Sequence, residues 1–127
     1  MTGVDGMSAR ILIVEDESIV QLDLQNRIRR LGYSVAGTAS RGEEAIAKAA
    51  ELVPDLVLMD VRLDGPMDGI EAARQIRSMR PIPIVFVTAF ADSSGADRSP
   101  ALRPCVAKPF RTLELREVIA HALMAPR

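Results

Sequence analysis

Apolar and polar positions along this chain follow two different periods. Five short segments, 10–14, 33–39, 55–60, 84–88 and 105–107, are almost continuously apolar and rich in β-branched residues. Such runs read as buried strands rather than half-exposed ones. Between them the apolar positions recur at helical spacing. Val20, Leu24, Ile28 and Leu31 predict a helix over 19–31, with Gly32 as its stop. Ser40 with Glu43 forms a capping-box signal for a second helix running to about Leu52, closed by Pro54. Asp68 is placed to cap a third over 69–79, ended by Pro81 and Pro83. Thr112 opens a last helix reaching Met124. In 89–104, Gly95 and Pro100 are poor helix residues, so a short or irregular fourth helix is expected there. Residues 1–9 read as a flexible lead-in and 10–124 as one domain.

A strand–helix unit repeated five times implies an α/β fold: a doubly wound parallel sheet with helices on both faces and right-handed crossovers. Functional sites of such sheets lie outside the carboxyl ends of the strands. That edge is where the chain puts its chemistry. The first strand runs into Glu15, Asp16 and Glu17, the third ends on Asp60, the fourth on Thr88, and Lys108 follows the fifth.

Composition narrows the possibilities. The 127 residues include one Tyr, three Phe and no Trp, so the core must be aliphatic. Sixteen basic against 17 acidic residues leave a net charge of −1, which is no electrostatic footprint for nucleic acid. The apolar runs are too short to span a bilayer, and the opening residues contain no apolar signal region. One cysteine, Cys105, excludes an internal disulfide and suits a reducing cytoplasm. One His and one Cys cannot build a zinc site, so any metal is a hard cation on oxygen ligands.

Carboxylates gathered at one edge repel one another unless a cation sits among them. Mg²⁺ suits one or two carboxylates, retained waters and a phosphoryl oxygen. A carboxylate can also act as a nucleophile toward phosphorus and become an aspartyl phosphate. A lysine and a hydroxyl then neutralise and bind the transferred group.

The segments "VEDE", "LVLMDVRLDGPMDG", "VFVTAF" and "AKPF", in this order, resemble the receiver domains of two-component response regulators over about residues 10–124. The resemblance implies a flavodoxin-like (βα)5 fold with strand order 2-1-3-4-5. It makes Asp60 the phosphoacceptor and Asp16 a direct Mg²⁺ ligand. Glu15 would assist through water, and the Arg62 backbone carbonyl would complete the protein ligands; Mn²⁺ could substitute. Thr88 and Lys108 would bind the phosphoryl group, Thr88 also acting as a switch, and Pro109 would set the turn, often through a cis bond. The implied partner is a sensor histidine kinase or histidine phosphotransferase. The chain would be a cytoplasmic, monomeric or phosphorylation-dependently dimeric module acting on an unidentified protein. It would be no enzyme beyond slow autophosphatase activity. It reads either as a stand-alone receiver or as one cut from a longer regulator or hybrid kinase, with no helix-turn-helix to contact DNA.

Departures from the family pattern are local. Cys105 stands where receivers usually carry the switch aromatic, and the stretch from Thr88 to Lys108 is shorter than usual. Together with "FVTAF" these features partly resemble an atypical alphaproteobacterial subgroup marked by a "FATGY"-like motif. The loop "RLDGPMDG" is one residue longer than the commoner form, which implies a different loop shape beside the acceptor. Arg62 and Phe90 would flank the path of an attacking water and slow self-dephosphorylation.

Competing readings are weaker. A phosphohydrolase with an aspartyl nucleophile usually carries a second acid two residues on, where this chain has Arg62. A receiver degenerated to a binding surface would not be expected to keep Glu15, Asp16, Asp60, Thr88 and Lys108 together. Glu17 reads as first-turn dipole chemistry. Cys105 reads as a small core residue, and His121 as a surface or packing one.

Overall fold

The computed structural model describes residues 9–89 and 104–125. Five strands, β1 (Arg10–Val14), β2 (Ser34–Ala39), β3 (Leu56–Asp60), β4 (Ile84–Thr88) and β5 (Cys105–Ala107), form one parallel sheet in the order β2-β1-β3-β4-β5. Four helices are described: α1 (Ser18–Arg30), α2 (Gly42–Leu52), α3 (Gly69–Met79) and α4 (Thr112–Met124). Of the expected lead-in 1–9, residues 1–8 lie outside the described residues, while Ala9 is buried in the core and accepts from Ser34 N at 3.0 Å; of the segment 89–104, expected to hold an irregular helix, 90–103 lie outside them.

Side-chain alternation along the strands divides the core in two. Ile11, Ile13, Leu58, Val85, Val87 and Val106 face one way and meet Leu24 and Ile28 of α1 and Leu115 and Ile119 of α4. Leu12, Val14, Val57, Met59, Ile84 and Phe86 face the other way and meet Ala45 and Ala49 of α2 and Ala72, Ala73 and Ile76 of α3. Alanines on α2 and α3 let those helices lie close to the sheet. Burial on both faces explains why the central strands carry no polar alternation.

The helix ends match the expected signals with one correction. Gly32 takes φ +96° directly after α1, a conformation that glycine adopts without steric cost. Asp68 caps α3 by accepting from Glu71 N at 2.9 Å. At α2 the expected capping box is not formed: no side chain caps the helix, and Glu44, not Glu43, accepts from Ser40 N at 2.8 Å through its Oε1. The cap position is Arg41, one residue later than the Ser40 signal implied. In β2 the pairing with β1 steps past Ala36, so that Leu12 pairs with Gly37. A Cβ at Gly37 would meet Leu52 Cδ1 at 2.8 Å, which accounts for glycine inside a strand.

Candidate phosphoacceptor site

Parallel strands deliver their last residues to one edge, and the sheet order places β1, β3, β4 and β5 side by side. Val14 hands over to Glu15 and Asp16; Asp60 and Thr88 end β3 and β4; Lys108 follows β5. Among the described residues, Glu15, Asp16 and Asp60 each offer a carboxylate oxygen, all within 4.8 Å of one another. Lys108 Nζ lies 2.9 Å from Glu15 Oε1 and 3.5 Å from Asp60 Oδ2. Asp16, Asp60, Arg62, Thr88 and Lys108 line a cavity of about 190 Å³, together with Glu17 and Ala89. Glu15 lies beneath it with no exposed surface, while Asp60 retains 6% and Thr88 2%.

Backbone bonds fix these positions. Lys108 N donates to Thr88 O at 2.8 Å, and Val61 N donates to Val87 O at 3.1 Å. Glu15 N donates to Ala39 O, while Glu15 Oε2 accepts from Glu17 N at 3.1 Å. Arg62 N donates to Asp60 Oδ1 at 3.2 Å. The peptide bond Lys108–Pro109 is cis.

Burial dominates the acidities. It pushes the Glu15 carboxyl up to about 7, against the hydrogen bonds from Lys108 and Glu17. Burial likewise raises Asp60, with the Asp16 charge adding and Lys108 opposing. Burial would lower Lys108, but the Glu15 hydrogen bond and the Asp60 and Glu15 charges outweigh it and leave the ammonium held above its usual range. Three acids with one lysine between two of them are short of positive charge. The donor set is hard oxygen, which fits Mg²⁺ or Mn²⁺ and not a thiophilic metal.

Residues 11–120 match the family described as response regulator receiver domain. The chain belongs to that family. A receiver of this sequence is 39% identical over 116 residues to the transcriptional regulatory protein PdtaR of Mycobacterium tuberculosis, covering 90% of this chain and 56% of PdtaR. It is 32% identical to the phyllosphere-induced regulator PhyR of Methylorubrum extorquens, covering 92% of this chain and 44% of PhyR. The chain thus spans about half the length of these curated relatives. Among solved structures, the receiver domain of the Pseudomonas aeruginosa sensor histidine kinase PA1611 superposes with TM-score 0.80 at 33% identity, covering 93% of this chain and 99% of that one. That structure has a magnesium ion coordinated in its active-site cleft. The PhyR receiver domain of Erythrobacter litoralis gives TM-score 0.82 at 32% identity, covering 94% and 95%.

The sequence also singles out Cys105, Phe90 and Arg62. Cys105 opens β5, half-buried on the face of α2 and α3, in register with the fully buried Phe86 of β4. Phe90 lies outside the described residues. Arg62 is exposed at the cavity mouth.

Two supporting side chains, Gln21 and Arg27, were not legible, and neither was the close approach that Gly69 permits. Gln21 Nε2 donates to Glu15 O at 2.9 Å and to Ala39 O at 3.3 Å, bracing the β1 end against β2. Arg27 of α1 stacks 4.9 Å from the Phe110 ring centroid and donates to Thr112 Oγ1 at 2.9 Å, bracing the loop after Lys108. Gly69 brings the start of α3 against the Asp60 carbonyl. The Arg27 contacts join residues more than 80 positions apart, which no local pattern encodes.

Proposed function

We propose that this receiver accepts a phosphoryl group on Asp60 from the phosphohistidine of a sensor histidine kinase or histidine phosphotransferase, in an Mg²⁺-dependent step of two-component signalling. The observation that carries the reading is the single lysine bonded to both Glu15 and Asp60 at the edge where Asp16 and Thr88 also converge. A carboxylate oxygen of Asp60 attacks phosphorus, the P–N bond breaks, and its electron pair returns to the donor imidazole. Lys108 and the Thr88 hydroxyl bind the phosphoryl oxygens. Mg²⁺ supplies further positive charge; Asp16, Asp60 and the Arg62 carbonyl would hold it, with Glu15 acting through water. The added charge then biases a two-state equilibrium read by a downstream protein.

Arg62 in place of a second acid favours a signalling module over a phosphohydrolase. No helix among the described residues is long and apolar enough to cross a membrane, in keeping with a cytoplasmic module. Ile19 and Leu22 of α1, 83% and 56% exposed, offer a histidine-bearing partner an apolar footing near the site. We read 10–124 as the receiver proper and 1–9 as its lead-in, without direct contact to nucleic acid. Its assembly is a monomer or a phosphorylation-dependent dimer.

Intact mass after incubation with a small phosphodonor and Mg²⁺ tests the reading. The native chain gains one phosphoryl group and Asp60→Asn gains none. An unmodified native chain with Mg²⁺ bound would reduce it to a binding module. Following the same mass after donor removal tests the water path. Arg62→Ala and Phe90→Ala shorten the lifetime of the adduct; unchanged decay in both would show that neither side chain screens it.

A further inference from the structure

The loop 61–68 leaves the sheet beside Asp60 and returns at Gly69. Its near end is fixed by Val61 N on Val87 O at 3.1 Å and by Gly69 N on Val61 O at 2.8 Å. Its far limb rests on the start of α2. Arg41 and Asp64 form an isolated parallel bridge. The Arg41 guanidinium lies alongside the Gly65 backbone, with Nη2 3.4 Å from where a Gly65 Cβ would stand. Met67 fills the space beside the buried Gly42 so closely that a Cβ there would sit 2.9 Å from both its Cγ and Sδ. Met67 and Leu63 also pack against the core shared by α2 and α3.

We propose that Arg41, Gly42 and Met67 form a clamp between α2 and the β3–α3 loop that positions the Arg62 carbonyl and thereby sets the affinity of the site for Mg²⁺. The inference rests on the metal-ligand reading given above. Glycine at position 42 admits Met67; Met67 ties the loop to the core; the Arg41–Asp64 bridge aligns the backbone that carries Arg62. None of the three touches the metal, so they are positioning residues.

Calorimetric Mg²⁺ titration of the full chain, with thermal melts in metal-free buffer alongside, tests the clamp. Alanine is a better helix former than glycine, so Gly42→Ala has no cause within α2 itself to weaken metal binding. The clamp expects Gly42→Ala to weaken Mg²⁺ affinity about tenfold, in the range seen when supports of metal ligands are lost. Met67→Ala weakens it similarly, and Met67→Leu retains most of the affinity. The double variant Gly42→Ala/Met67→Ala binds no more weakly than Met67→Ala alone, because the collision vanishes with the methionine. Parental affinity in Gly42→Ala and Met67→Ala, whatever their melting points, would overturn the clamp. A parent chain that takes up no Mg²⁺ would overturn the metal-ligand reading and the clamp with it.

Discussion

A side chain at Gly69 has nowhere to go. Its Cβ would stand 1.9 Å from the Asp60 carbonyl oxygen and 3.0 Å from Met59 Cγ. The first of these neighbours is backbone, so no rotamer change relieves the overlap. The start of α3 would have to retreat, stretching Gly69 N from Val61 O and pulling the Asp68 cap off Glu71 N. Gly69→Ala is therefore expected to cost about 3 kcal/mol of stability, at the upper end of overpacking. It should also lower the extent of phosphorylation, because the displaced backbone is that of Asp60. Chemical denaturation of the variant measures the first effect and intact mass the second. A variant as stable as its parent would show that α3 and β3 are not held in this register. Residue by residue, the site's acids, threonine and lysine were legible because they stand at the ends of apolar runs. The burial of Glu15 was not. A glutamate at the polar tip of a strand looks solvated in sequence, yet the fold removes it from solvent and bonds it to Lys108.

At the scale of elements, β1, β3 and β4 were readable because they are covered on both faces and carry no competing pattern. The Gly37 interruption made β2 look weaker than it is. Its glycine serves the approach of Leu52 from α2, a contact fifteen residues away that no local pattern encodes. The cap of α2 shows the same limit at shorter range. Ser40 and Glu43 satisfy the capping pattern, but the helix starts one residue later, after Arg41 has bridged to Asp64, and it is Glu44 that bonds Ser40 N. Cys105 gains meaning only beside its neighbour strand. Phe86, in register with it on β4, supplies the aromatic bulk on this face and is fully buried, with the Arg77 guanidinium 5.9 Å from its ring. The resemblance to receivers had located the cysteine substitution but could not say what packs against it.

At the scale of the whole molecule, the sheet order concentrates negative charge at one edge, and the fold carries that cost until a cation arrives. Burial opposes ionisation of Asp60, and the Asp16 charge adds to that opposition. A ligand that binds only the folded chain stabilises it by RT ln(1 + [L]/Kd), about 2.7 kcal/mol at a hundredfold excess over Kd. Thermal melting should therefore rise with Mg²⁺ in the native chain. Asp16→Ala should reverse the sign of the comparison. Without Mg²⁺ it removes a repulsive neighbour of Asp60, so its midpoint equals or exceeds that of the native chain. With Mg²⁺ it loses a ligand, so the native chain overtakes it. A purely structural role for Asp16 would lower the midpoint in both conditions by the same amount, and equal Mg²⁺ shifts in the two chains would remove Asp16 from the metal site. The crossing of the two curves is what ties the acid cluster to the cation: repulsion tolerated in the metal-free fold becomes binding energy once the charge is matched.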